Sequence, residues 1–368
     1  MVKPKAFIML SKLLSACLLL TTISQAQQGP IDFEQYNPVS TLVVKENPVA
    51  RAKFPFIDVH NHQRGMDSGS LDPLLSEMDK LNMQVMVNLS GGTGNSLEKK
   101  IGNIKSANSK RFLVFANIDF SGFGKTGWTE FTVKQLVNDV KNGASGLKIF
   151  KNLGFSVKDP DGKRVGVDDP RLAPIWEACA DLRIPVLIHT ADPAPFWDSM
   201  DNNNERLLEL KTHPRRQQKN EEYSWQQLID EQHRVFRKHF RTTFIAAHFG
   251  WYPNNLGKLD SILTAMPNVV VEFGAVIAEL GRQPRAAKYF FNKFQDRILF
   301  GKDSWVPSEY ATYFRVLETE DEYFPYHKKY HAFWGMYGMG LSDEVLKKIY
   351  YKNAIRIIPG IDKSLFPL

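Results

Sequence analysis

Past residue 55 the chain alternates between two hydrophobic rhythms. Short apolar runs with β-branched content recur at Phe56–His60, Val85–Leu89, Phe112–Ile118, Gly146–Phe150, Pro185–His189, Thr243–His248, Val269–Phe273 and Ile298–Gly301. Segments of helical spacing separate them. Asp72–Leu81, Thr129–Val140 and Leu256–Met266 read as helices, and Asp169 followed by Pro170 reads as the capped start of another. Eight such β/α units predict a parallel sheet closed on itself, a single-domain (β/α)8 barrel of the TIM type. Phe56 to Asp303 spans 248 residues, close to the roughly 250 of that fold. A tail with a helical stretch at Asp343–Tyr351 follows. The connection over 190–242 is far longer than an ordinary barrel loop and starts at the active-site rim, so a lid or binding element is expected there. Trp225–His239 within it reads as helical.

The first 55 residues follow a different pattern. Residues 1–26 open with a basic stretch, continue apolar to Ile23 with Lys12 interrupting, and close on Ser24-Gln25-Ala26. This is the pattern of a cleaved export signal and predicts a periplasmic or secreted protein. The run is too short and too charged for a lasting membrane span, so no stable insertion of the mature chain is expected. Leu14-Ser15-Ala16-Cys17 offers a competing lipid-anchor reading, weakened because Leu18-Leu19-Leu20 stays apolar. Residues 27–55 read as a polar N-terminal arm. Export removes one of the two cysteines, Cys17, and leaves Cys179, which sits in an apolar helical pattern and reads as a small buried hydrophobe.

Charge narrows the partners. The whole chain carries +7, and three lysines with no acid lie in the signal, so the mature chain carries +4. That is too mild for a dedicated nucleic-acid binder. A small-molecule substrate is expected, and homo-oligomerisation is left open.

In this fold the chemistry lies at the C-terminal ends of the strands. Strand one ends in Asp58-Val59-His60-Asn61-His62, and residues two apart on a strand face the same side. Strand five ends in His189, strand six in His248, and strand eight in Gly301-Lys302-Asp303. Alone, each histidine reads as a hydrogen-bonded structural residue, and Asp303 reads as a helix cap. Together, four imidazoles and a carboxylate at matching strand ends point to a metal site.

This constellation resembles the amidohydrolase superfamily. Leu299-Phe300-Gly301-Lys302-Asp303-Ser304-Trp305 and Ala246-Ala247-His248-Phe249-Gly250 are similar to the strand-eight and strand-six signatures of its compact branch, related to aminocarboxymuconate semialdehyde decarboxylase. The likeness runs from Phe56 to the C-terminus and implies a barrel without a flanking β-sandwich. It further implies that His60, His62, His189 and Asp303 hold one divalent metal, zinc by donor type, with two if Lys148 on strand four is carbamylated. The plain reading of Lys148 is a lysine paired with a barrel carboxylate such as Glu272, and Lys151 is a weaker candidate. Asp303 is implied as general base, and His248 as the group that orients water or polarises a carbonyl.

The expected activity is hydrolysis of a small amide, ester or lactone. A non-oxidative decarboxylase on the same ligands is the alternative. Softer substrate-binding candidates are Trp197, Trp251 and Trp305 at the mouth, with Tyr252 beside them. Arg282 and Arg285 are candidate guanidinium forks for a carboxylate. His213-Pro214-Arg215-Arg216 reads as an exposed charge run.

Overall fold

The structure, a computed structural model, describes residue 34 and residues 36–107, 110–219 and 222–367. Residues 1–26, read above as an export signal, and Cys17 within them lie outside the described residues. The chain divides into a unit ending at Val43 and a unit of Val44–Leu368. The described part of the first contains no strand or helix.

In the second unit, strands β1 (Phe56–Asn61), β2 (Met83–Asn88), β3 (Phe112–Ala116), β4 (Gly146–Ile149), β5 (Val186–Ile188), β6 (Phe244–Ala246), β7 (Val269–Glu272) and β8 (Ile298–Leu299) form one parallel sheet in sequence order. The sheet closes where Val59 N donates to Phe300 O at 2.9 Å and Asp303 N to His60 O at 2.6 Å. The chain is therefore a (β/α)8 barrel. Among the described residues no second sheet flanks it, and no helix is long and apolar enough to cross a membrane.

The strands are buried on both faces, as a parallel sheet enclosed by helices requires. Asp58 on β1 stitches the seam. Its carboxylate accepts from His60 N, Asn61 Nδ2, Lys302 N and the Tyr310 hydroxyl. Burial raises its pKa to about 6 against those bonds.

The helices fall close to their predicted places, at Asp72–Leu81, Trp128–Asn142 and Leu256–Ala265. Asp169 caps a 3-10 turn, Pro170–Leu172, by accepting from Arg171 N; the α-helix itself begins at Ala173. The tail helix passes through a π-helical turn at Lys348–Lys352. There the Ile349 carbonyl bonds Phe300 N beyond β8 at 3.1 Å, so the irregularity ties the tail to the barrel.

The arm is not uniform. From Val44 on it belongs to the barrel unit, fastened by Asn47 to the Asp321 carboxylate at 2.7 and 2.6 Å and by Ala52 N to Leu81 O. The connection after β5 contains helices Leu207–Thr212 and Trp225–Lys238. Cys179 is buried and free, and burial drives its thiol pKa far up, which makes it an inert packing residue.

Candidate metal centre

His60 leaves β1 fully buried, with Nδ1 2.8 Å from Glu272 Oε1. A carboxylate only accepts, so Nδ1 carries the proton and Nε2 is bare. Asp303 Oδ1 lies 3.5 Å from that Nε2 and 3.5 Å from His62 Nε2. His62 Nδ1 is held 2.9 Å from Ser90 Oγ. The donor atoms of His60, His62 and Asp303 all lie within 4.8 Å of one another.

His248 and His189 form the opposite wall. His248 Nδ1 donates to Gly274 O at 2.7 Å, and His189 Nε2 to Ala191 O at 2.8 Å. Both acceptors are carbonyls, so the remaining nitrogens are bare, and they face each other at 3.4 Å. His189 thus stands beside His248, outside the tight group of His60, His62 and Asp303.

Backbone geometry differs between these walls. β1 delivers His60 from extended chain. After β6, His248, Phe249, Gly250 and Trp251 have φ of 56°, 56°, 58° and 63°. Three non-glycine residues in the left-handed region cost about 1–2 kcal/mol each. The turn is pinned by His248 N to Glu272 Oε1 at 2.8 Å and by Phe249 packed on Phe290, Phe291 and Phe273. Asp303 also has positive φ, 80°.

Glu272 joins the two walls. Its Oε1 accepts from His60 and from His248 N, and its Oε2 accepts from Gly274 N at 2.6 Å. It is fully buried. These bonds make it an orienting carboxylate behind the ligands and not a free ligand. Gly301 leaves room for it, since a Cβ there would stand 2.4 Å from Glu272 Oε2 and 3.0 Å from His60 Cβ.

Burial sets the protonation. It lowers the pKa of His62 and of His248 to about 4, and pushes His60 and His189 below the usual imidazole range. Burial alone would raise the Asp303 carboxyl, but the four imidazoles around it outweigh burial and hold it well below the carboxylate range. Lys148 is buried, with its pKa brought down to about 8 against the pull of Asp303 and Glu272, and its Nζ has no hydrogen-bond partner.

Neutral imidazoles with bare nitrogens beside an ionised carboxylate are what a divalent cation requires. Lone pairs facing each other at 3.4 Å are relieved by a cation, so this donor set fits a metal.

A family model described as "Amidohydrolase" matches residues 57–360. The chain belongs to the amidohydrolase family. Members of this family are metal-dependent enzymes, and the centre above lies within the matched residues. Solved structures share its fold. A dihydroxybenzoic acid decarboxylase from Polaromonas, with manganese and 2-nitroresorcinol bound, is 14% identical, covers 83% of this chain and 96% of its own, and has a TM-score of 0.53. A 2,6-dihydroxybenzoate decarboxylase from Rhizobium is 16% identical over 83% and 98%, with a TM-score of 0.50. A 4-oxalomesaconate hydratase from Rhodopseudomonas palustris is 14% identical over 84% and 97%, with a TM-score of 0.50. No curated protein matches the sequence significantly.

The softer candidates separate in this amidohydrolase. Trp251 packs against His248 and His189 with tilted rings, centroids at 4.5 and 5.5 Å. Trp305 packs on Tyr310 and Trp197 on Phe155. Arg282 does not present an open fork: Glu205 closes it at 2.8 and 3.1 Å, and Trp334 covers its face at 4.0 Å. Lys148 does not pair with Glu272, because Glu272 is held by His60, His248 and Gly274. Lys151 pairs with Asp192 at 2.7 Å. Glu272 went unassigned among the site residues, although a single acid in the apolar run Val269–Phe273 marks it. Lys302 proves structural: its buried Nζ donates to Ser304 O, Ser304 Oγ and Glu309.

Proposed function

We propose that this amidohydrolase hydrolyses a small amide, ester or lactone, with Asp303 as general base. One observation carries the reading: an ionised carboxylate, 3.5 Å from two imidazole nitrogens, in a group that fits a divalent metal. We assign His60, His62, His189 and Asp303 as its ligands. Zinc suits imidazole and carboxylate donors, and a carbamylated Lys148 would add a second ion. A bound divalent cation supplies Lewis acidity toward a carbonyl oxygen and toward water.

The chain's own groups do the rest. Asp303 Oδ1 takes the proton of the attacking water and returns it to the leaving group. His248 Nε2 is bare because Nδ1 donates to Gly274 O, so it orients the water by accepting from it. Trp251 shields the pair from solvent. The signal-like residues 1–26 support action after export, and the mild charge supports a small-molecule substrate in place of nucleic acid.

Product analysis in 18O-labelled water across a panel of lactones, esters and aromatic acids tests the reaction class. Solvent oxygen in the product is the expected result. Carbon dioxide release without it would replace the hydrolase by the decarboxylase on the same ligands.

A further inference from the structure

The helix Asn95–Ser106 turns Leu97, Lys100, Ile101 and Ile104 inward. Lys100 occupies the apolar stripe at i+3 from Leu97, where helical spacing asks for a hydrophobe. It is only 7% exposed. Its Nζ meets one partner, Ser96 Oγ at 3.1 Å. Among the described residues no carboxylate pairs with it. An ammonium held by a single hydroxyl leaves two donor positions open toward the cleft described next.

The lysine lines a cleft of about 420 Å³ that also touches His62, Arg64, Ser90, Asn117 and Phe150. The cleft has no acid in its wall, and Arg64 has no ion-pair partner among the described residues. At one end the cleft reaches His62, whose Nδ1 is held by the Ser90 hydroxyl and whose Nε2 faces Asp303. The other end is cationic. The volume suits a small organic molecule.

We infer that this cleft is the substrate's anion subsite: Lys100, assisted by Arg64, is the specificity determinant that holds a carboxylate of the substrate away from the reacting bond. The inference rests on the proposed metal-dependent function of the adjoining centre. It narrows the substrate to an organic acid whose carboxylate and scissile group fit within one cleft.

A carboxylate fits better than a phosphate. The loop before the helix, Gly91-Gly92-Thr93-Gly94, resembles an anion-binding loop in composition, but its donors are engaged. Gly92 N donates to Asn117 Oδ1 at 2.7 Å, and Gly94 N and Thr93 Oγ1 donate to the Asp139 carboxylate at 2.9 and 2.6 Å. Asp139 already supplies the negative charge at this helix start. A dianion would meet that charge, whereas a single carboxylate needs only the side-chain donors of Lys100, Ser96 and Arg64.

The test is calorimetric titration of the full chain with benzoate and with its neutral counterpart benzamide, both metal-free and zinc-loaded. The expected result is benzoate binding in both forms, weakened at least tenfold by Lys100→Met and restored by Lys100→Arg, with benzamide unaffected. Equal benzoate affinity in wild type and Lys100→Met overturns the subsite. Binding that vanishes on metal removal also overturns it, because the anion then sits on the metal. If Lys100→Met does not fold, Arg64→Gln carries the same test at a threefold threshold, its exposed side chain being free to change. Benzoate binding that depends on Lys100 in a chain that never takes up metal would sink the hydrolase reading and leave the subsite standing.

Discussion

At the end of β1 the chain stays extended, and two-residue periodicity carries His60 and His62 to one side. At the end of β6 the chain winds through four left-handed residues to present His248 and Trp251. The first arrangement uses the strand's own geometry and carries no backbone penalty. The second is costly and persists because Glu272, Gly274 and a cluster of phenylalanines hold it. The placement of His60 and His62 thus comes from regular structure, and that of His248 comes from strain held by neighbours. Asp303, with positive φ at the seam of β8 and β1, belongs to both.

The largest effect tests what the two walls share. Asp303→Asn should cut turnover by about 10²–10⁴-fold, the usual share of general acid–base catalysis, while the fold persists. Steady-state kinetics checks this, and unchanged turnover would remove Asp303 as base.

Glu272→Gln should damage both walls at once, because one side chain holds His60 and the turn at His248. Metal affinity should fall about 10–100-fold, as for other orienting partners. The melting temperature should fall as well, since a buried bonded carboxylate is lost. Chelator competition and calorimetry measure the two effects. A metal defect without a stability defect would confine Glu272 to the β1 wall.

Gly250→Ala separates the walls. A Cβ there meets only Ala246 Cβ, at 3.7 Å, so its penalty is conformational. Stability should fall by about 1–2 kcal/mol, with metal affinity unchanged. A urea titration checks it. A stability loss near zero would mean the turn is not strained.

Acidity acts on both walls alike. Burial lowers the pKa of His62 and His248 to about 4, while an unfolded imidazole titrates near 6.5. Below that value the unfolded chain binds protons that the folded chain refuses. Stability from the neutral imidazoles is therefore complete above about pH 6.5 and is lost as the pH falls toward 4. Urea midpoints of the chelated chain should drop between pH 7 and pH 5, and a flat profile would contradict the neutral state.

The contrast also explains what the sequence made legible. His60 and His62 could be read because strand period alone places them. His189, His248 and Asp303 could be read as strand ends, but not their conformation: nothing in Ala-Ala-His-Phe-Gly-Trp announces four positive φ values. Glu272 acts through contacts that are distant in sequence, to His60 and His248. Arg282 looked available because Glu205, which closes it, lies 77 positions away. The role of Lys302 could not be read, because its burial against Glu309 is a tertiary fact. Lys100 was readable in principle, as a charge on an apolar helical stripe.

The central claim is that the wall built on β1 binds the proposed metal and the turn after β6 supplies the catalytic positioning. Metal content by elemental analysis of the wild type, His60→Ala and His248→Ala, each reloaded with zinc, tests it most directly. The account predicts about one ion per chain in the wild type and in His248→Ala, and less than a tenth of that in His60→Ala. Full occupancy in His60→Ala, or no metal in the wild type after reloading, would contradict it.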